Sequence, residues 1–177
     1  MELTISQYNE IIKTCREIFV RKNKDYGDSW REFRPSSLTD QIYIKAQRIR
    51  NIELTQKNEV GDSIVSEFKS IINYGIIALI QLDTFPSEEV ITEDQLINLY
   101  DGKVKLTQDL MVKKNSDYGE IWRDMRATSF TDMILVKLLR IKQIEDNDGA
   151  TDISEGVDAN YKDIINYAIF ALIRLQE

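Results

Sequence analysis

The sequence predicts an all-α fold: internally duplicated three-helix units packed as a six-helix body with pseudo-twofold symmetry. Three observations carry that expectation. Only 7 Gly and 2 Pro in 177 residues leave room for long helices. No stretch shows the period-two alternation, bounded by turn residues, that would mark strands. The third is a duplication: Lys22-Asn23-Lys24-Asp25-Tyr26-Gly27-Asp28-Ser29-Trp30-Arg31 returns as Lys114-Asn115-Ser116-Asp117-Tyr118-Gly119-Glu120-Ile121-Trp122-Arg123. Aligned at an offset of 92, residues 22–53 and 114–145 agree at 17 of 32 positions, many of them polar or charged. A shared fold needs only a shared apolar pattern, so some of that polarity is expected to be used, for function or for contacts between the halves.

The first repeat is placed at 1–83, a linker containing Pro86 at 84–93, and the second repeat at 94–177, both packed as one globular domain. Helix one is expected over 5–21 and 94–113, with Tyr8 repeated as Tyr100, and Thr92 with Gln95 reads as a capping box. A loop over about 23–36 follows. Helix two then begins where Ser37 with Asp40, and Ser129 with Asp132, have the spacing of an N-cap hydroxyl and its reciprocal carboxylate. Helix three is expected over 62–82 and 155–175, where Ile71-Ile72-Asn73-Tyr74 matches Ile164-Ile165-Asn166-Tyr167 at an offset of 93. It is apolar nearly all round and therefore central. The stretch 145–154, rich in Asp, Asn and Gly, reads as a solvent loop.

Composition narrows the function classes. A formal charge of -7 disfavours broad nonspecific binding to nucleic-acid phosphate or to an anionic membrane. The longest apolar run, 71–82, is interrupted by Asn73, Tyr74 and Gln81 and is too short to span a bilayer. Residues 1–10 show no basic segment followed by an apolar one, so the expected location is the cytoplasm. Cys15 is the single cysteine and histidine is absent, which excludes an internal disulfide, a Cys/His zinc site and histidine catalysis. Any metal must sit on oxygen.

Three groups of residues carry candidate chemistry. In the repeated loop, Lys22, Asn23, Asp25 and Tyr26, with Lys114, Asn115, Asp117, Tyr118 and Trp122, suit a nucleotide-like substrate: rings to sandwich a base, cations to meet phosphate. Alternatively Trp30 and Trp122 plug the loop onto the core. On helix two, Lys45 and Arg48, with Lys137 and Arg140, share the inward stripe of Ile42 and Ile49 or of Ile134 and Ile141. They are either a phosphate clamp or partners of acids on helix three. At the start of the second helix three, Glu155, Asp158 and Asp163 form an acidic group suited to Mg²⁺, or else a solvated helix N-terminus. Glu53 and Glu145 stand near the end of helix two, where they could complete such a site. In the first half Asp62 matches Glu155, but Val65 and Ser70 replace Asp158 and Asp163, so the metal is expected in the second half.

On Lys-Asn-x-Asp-Tyr-Gly and the later Asp-x-x-Asn-Tyr helix, the chain resembles the nucleotide modification associated domain family, once per half. That resemblance implies a link to nucleotide metabolism or modified bases. A looser similarity is to all-α nucleoside triphosphate pyrophosphatases of the MazG type, whose metal motif includes Glu-x-x-Asp, matched by Glu155 and Asp158; their Glu-x-x-Glu element is missing. The second similarity implies Mg²⁺-assisted attack of water on the α-phosphate of a nucleotide or pterin triphosphate. Glu145, Glu155 and Asp158 would be catalytic, Glu155, Asp158 and Asp163 would hold the metal, and Lys114, Lys137 and Arg140 would take phosphate charge. Asn166 belongs to the repeated Asn-Tyr pair and is assigned to substrate. The rival expectation is a noncatalytic nucleotide-binding or assembly module, and a homodimer remains open.

Overall fold

The computed structural model describes residues 1–59, 63–152 and 155–177. Six helices follow in order: α1 Glu2–Tyr26, α2 Pro35–Thr55, α3 Ile64–Thr84, α4 Glu93–Tyr118, α5 Ala127–Asp146 and α6 Val157–Gln176. Short 3-10 turns, Ser29–Glu32 and Ile121–Asp124, precede α2 and α5. No strand occurs among the described residues, in agreement with the all-α expectation.

The helix boundaries correct the sequence reading at three places. First, α1 and α4 run on to Tyr26 and Tyr118, so Lys22 to Tyr26 and Lys114 to Tyr118 are the last turns of helices rather than loop. What stops each helix is the next residue: Gly27 and Gly119 take φ of 65° and 69°, a backbone that costs little only without a side chain. Second, α2 opens at Pro35, whose missing N–H is no loss at the first helical position, and α5 opens at Ala127. Ser37 and Ser129 therefore lie inside the first turn, and Asp40 and Asp132 are not capping partners. They reach across to the other repeat instead, Asp40 to Lys142 at 3.1 Å and Asp132 to Arg50 at 3.7 Å.

Third, α3 is capped by Ser63, whose hydroxyl accepts from the Ser66 N–H at 3.0 Å, while the expected start at Asp62 lies outside the described residues. α6 begins at Val157, which leaves Glu155 before the helix, so the helical spacing of Glu155 and Asp158 does not apply. The capping box at α4 is present in both directions, at 2.8 and 3.2 Å.

α3 and α6 form the centre: α3 packs against α1, α2, α4 and α6, and α6 against α1, α3, α4 and α5, while α2 and α5 cover one side together. Ile71, Ile72, Ile76, Ile164, Ile165 and Ile169 are fully buried there, each such side chain stabilising by about 1.5–3 kcal/mol. α3 is long and apolar enough to cross a membrane by length and composition, but in this fold most of that length is buried against other helices. Gly75 permits a close approach, because a Cβ at that position would stand 2.7 Å from Ile165 Cγ1 on α6.

Polar contacts join the two repeats reciprocally. Asn73 on α3 accepts from Tyr100 Oη on α4 at 2.7 Å and donates to the Cys15 carbonyl on α1 at 3.0 Å. Asn166 on α6 accepts from Tyr8 Oη on α1 at 3.0 Å and donates to the Thr107 carbonyl on α4 at 3.1 Å. Likewise Thr39 donates to Glu145 at 2.9 Å and Thr131 to Glu53 at 2.8 Å across the α2–α5 seam.

Candidate functional site: a cationic pocket in the first repeat

The ending of α1, the 3-10 turn and the outer face of α3 enclose a hollow of about 530 Å³, within the size range of small-molecule sites. α1 contributes Phe19, Lys22, Asn23 and Tyr26, residues three and four apart and hence on one face. α3 contributes Ser66, Lys69, Ser70, Asn73, Tyr74 and Ile77, again a single helical stripe. Because Gly27 turns the chain back at once, Ser29 and Trp30 of the 3-10 turn close the third side. Gln81 of α3 pins that turn by donating to the carbonyls of Arg31 and Phe33, at 2.7 and 2.8 Å.

Chemically the walls are apolar and aromatic, Phe19, Trp30, Phe33 and Ile77, with polar groups aimed between them. Trp30 Nε1–H donates to Asn23 Oδ1 at 3.0 Å, and this orients the amide so that its Nδ2 is buried with no partner among the described residues. A buried donor left in that state costs about 1–3 kcal/mol. The only side chains of the lining that are charged at neutral pH are Lys22 and Lys69, and Lys22 has no ion pair or hydrogen bond among the described residues.

In the second repeat the ring face of the tryptophan and the lysine are already occupied, while Trp122 Nε1 is buried without a partner among the described residues. Phe170 stands where Ile77 stands in the first and lies flat on Trp122, with ring centroids 4.2 Å apart and planes 6° from parallel. Asp163 stands in the place of Ser70, is 3% exposed, and accepts from Lys114 at 2.6 Å and from Lys137 at 2.8 Å. Asn115 donates to Met111 Sδ at 3.1 Å.

The other expected site residues fall as follows. Lys45 and Arg48 both pair with Glu67 of α3, Lys45 at 3.4 Å, and Glu67 is 2% exposed; their inward position is that of helix-three partners. Arg140 is exposed and, with Lys137 and Glu155, lines a separate hollow of about 630 Å³. Asp25 and Asp117 are exposed at the helix ends and line neither hollow, and Tyr118 is exposed. Asn166 is 4% exposed with both ends of its amide engaged by Tyr8 and Thr107, a tie between helices, and it lines neither hollow.

The carboxylates do not fit a Mg²⁺ site. Asp163 is neutralised by two lysines, Asp158 is 61% exposed beside Lys162 at 3.2 Å, and Glu155 lies ahead of the helix. Glu145 accepts from Thr39, just as Glu53 does from Thr131, and it is absent from the hollow that Glu155 lines. Burial pushes both glutamates above the ordinary carboxylate range, against the lowering effect of the threonine hydroxyls. No three Asp, Glu, Cys or His side chains gather as a metal site among the described residues.

Sequence reasoning missed Ser66, Lys69, Ser70, Tyr74 and Glu67. The signal was present as a polar stripe at spacings of three and four on an otherwise apolar helix.

The sequence model of a family described as nucleotide modification associated domain 1 matches residues 22–82 and again 114–175. No curated protein and no solved structure matches the chain. Each matched segment opens on the lysine that begins the last turns of α1 or α4 and closes on α3 or α6, so in the first repeat it contains nearly all of the pocket.

Proposed function

We propose, for a chain that belongs to the nucleotide modification associated domain 1 family, that the first repeat binds a nucleotide or nucleotide-like anion between α1 and α3. The observation that carries this reading is the pairing of an aromatic-walled hollow with two lysines and no acid in its lining, in a protein of net charge -7. Trp30, Tyr26 and Tyr74 offer ring surfaces to a base. Lys22 and Lys69 offer charge to phosphate. Binding without turnover is the form of the reading favoured by the engagement of Asp163 with Lys114 and Lys137 and of Asp158 with Lys162.

The test is a titration with nucleosides and with nucleoside mono-, di- and triphosphates, followed by calorimetry and thermal shift, with and without Mg²⁺. Phosphorylated ligands are expected to bind and to raise Tm, more weakly by about tenfold or more in Lys22→Ala or Lys69→Ala. Affinity unchanged in both variants would refute the pocket. Pyrophosphate release would instead restore the hydrolase reading.

A further inference from the structure

Resting on that nucleotide reading and extending it, we infer that the second repeat contains a built-in imitation of the ligand, so that Phe170 and Asp163 mark where a bound molecule places its ring and its anion in the first repeat. The two pockets derive from the same motif, and among the differences in their linings, which include Phe19 against Met111 and Phe33 against Met125, two on helix three bear on what the pocket holds. Where the first has Ser70 and Ile77, small and aliphatic, the second has Asp163 and Phe170. These are not neutral replacements. The carboxylate of Asp163 lies 2.6 Å from Lys114 Nζ, the counterpart of Lys22, and the ring of Phe170 stacks on Trp122, the counterpart of Trp30. One repeat thus supplies from its own chain an aromatic ring on the tryptophan and an anion on the lysine. The other leaves the lysine without a counter-charge among the described residues and leaves a hollow beside the tryptophan.

This assigns the ligand's orientation. Its planar ring lies over Ile77 against Trp30, and its anionic group lies beside Ser70, within reach of Lys22 and Lys69. The residues that mark the two places are seven apart on one helix, about 10 Å along its axis. That separation calls for a phosphate chain on a nucleoside rather than for a bare nucleoside. It also sets the stoichiometry at one ligand per chain, because the second pocket is filled by the protein itself.

The decisive variant writes the second repeat's residues into the first, Ser70→Asp with Ile77→Phe. Both side chains are already accommodated at the equivalent places, so folding is expected to persist, as checked by circular dichroism and Tm. Calorimetry with ATP and GTP, against adenosine and guanosine, should give one site in the wild type, nucleosides weaker by about tenfold or more, and loss of binding in the double variant. The converse variant, Asp163→Ser with Phe170→Ile, should raise the stoichiometry to two. Two sites in the wild type, or an unchanged affinity in the folded Ser70→Asp/Ile77→Phe protein, would overturn the inference while leaving nucleotide binding intact. Should no nucleotide bind the wild type, the nucleotide reading fails by itself, and an anilinonaphthalene sulfonate, an aromatic anion, becomes the probe. Dye fluorescence lost in Ser70→Asp/Ile77→Phe would uphold the ring-and-anion site for another ligand. Fluorescence absent from the wild type, or unaltered in that variant, would overturn it.

Discussion

Replacing Asp163 with alanine distinguishes a carboxylate that anchors lysines from one kept for a metal. The side chain is 3% exposed and bridges Lys114 at 2.6 Å and Lys137 at 2.8 Å. Breaking a fully buried pair by removing one partner costs about 3–5 kcal/mol, because the other charge is stranded. Here the lysines are not fully buried, at 41% and 15% exposure, so both can recover part of their hydration. One charge-assisted hydrogen bond, discounted for solvent, and one better-buried ion pair then leave about 2 kcal/mol. For a chain of this length that corresponds to a fall in Tm of about 4–8 °C, measured by calorimetry at low salt. A double-mutant cycle with Lys137→Met should show a coupling of about 1 kcal/mol or more. The opposite outcome, an unchanged or higher Tm with stabilisation by Mg²⁺ confined to the wild type, is what a repelling acidic metal site would give, and it would refute the pairing argument.

Three further outcomes test the framework around the pocket. Asn166→Ala strands the Tyr8 hydroxyl in the interior and removes the second donor to the Thr107 carbonyl, and should cost about 1–3 kcal/mol by urea unfolding, with Asn73→Ala behaving alike; a near-neutral result would show that the ties are dispensable. Gly75→Ala should lower stability despite the better helix former, since the new methyl overlaps Ile165 at a cost of about 1–3 kcal/mol; Ile165→Val should restore part of the loss, and no rescue would count against the close approach. Glu53 and Glu145 are held above the ordinary range by burial, so the folded chain binds their protons more readily than the unfolded chain. Their contribution is complete below the unfolded value and is lost as pH rises through the raised folded values. Glu53→Gln/Glu145→Gln should accordingly unfold at higher temperature than the wild type at pH 7, the gap closing as pH falls towards about 4.3; a gap that widens on acidification would reverse the assigned sign.

The helices were readable because their apolar spacing is unambiguous from Ile71 to Leu82 and from Ile164 to Leu175. Their ends were harder to read. Lys22 to Tyr26 carry no apolar marker and pass for loop by polarity alone, whereas Gly27 was the true stop. Pro35, not Ser37, was the start of α2. The candidate site residues are legible for a different reason. Identity between the repeats marks Lys22, Asn23 and Tyr26, which line the hollow of the first repeat. The same filter also selected Asn166, whose repetition serves packing, and passed over Ser70 against Asp163 and Ile77 against Phe170. At those positions the second repeat sets Phe170 on Trp122 and Asp163 on Lys114. Carboxylates clustered in sequence drew attention to 155–163, but only distances reveal that lysines from α4 and α5 had already claimed Asp163.

The exchange of partners between Tyr8 and Asn166, and between Tyr100 and Asn73, has a consequence for how this chain is inherited and assembled. A solitary half would present a tyrosine hydroxyl and an asparagine oxygen with nothing opposite either, and a sister molecule could satisfy both at once. Fusion of the genes for two such sisters turns a concentration-dependent association into a permanent one. With the pairing guaranteed by the chain itself, the two halves need not keep the same side chains, as Ser70 against Asp163 and Ile77 against Phe170 illustrate.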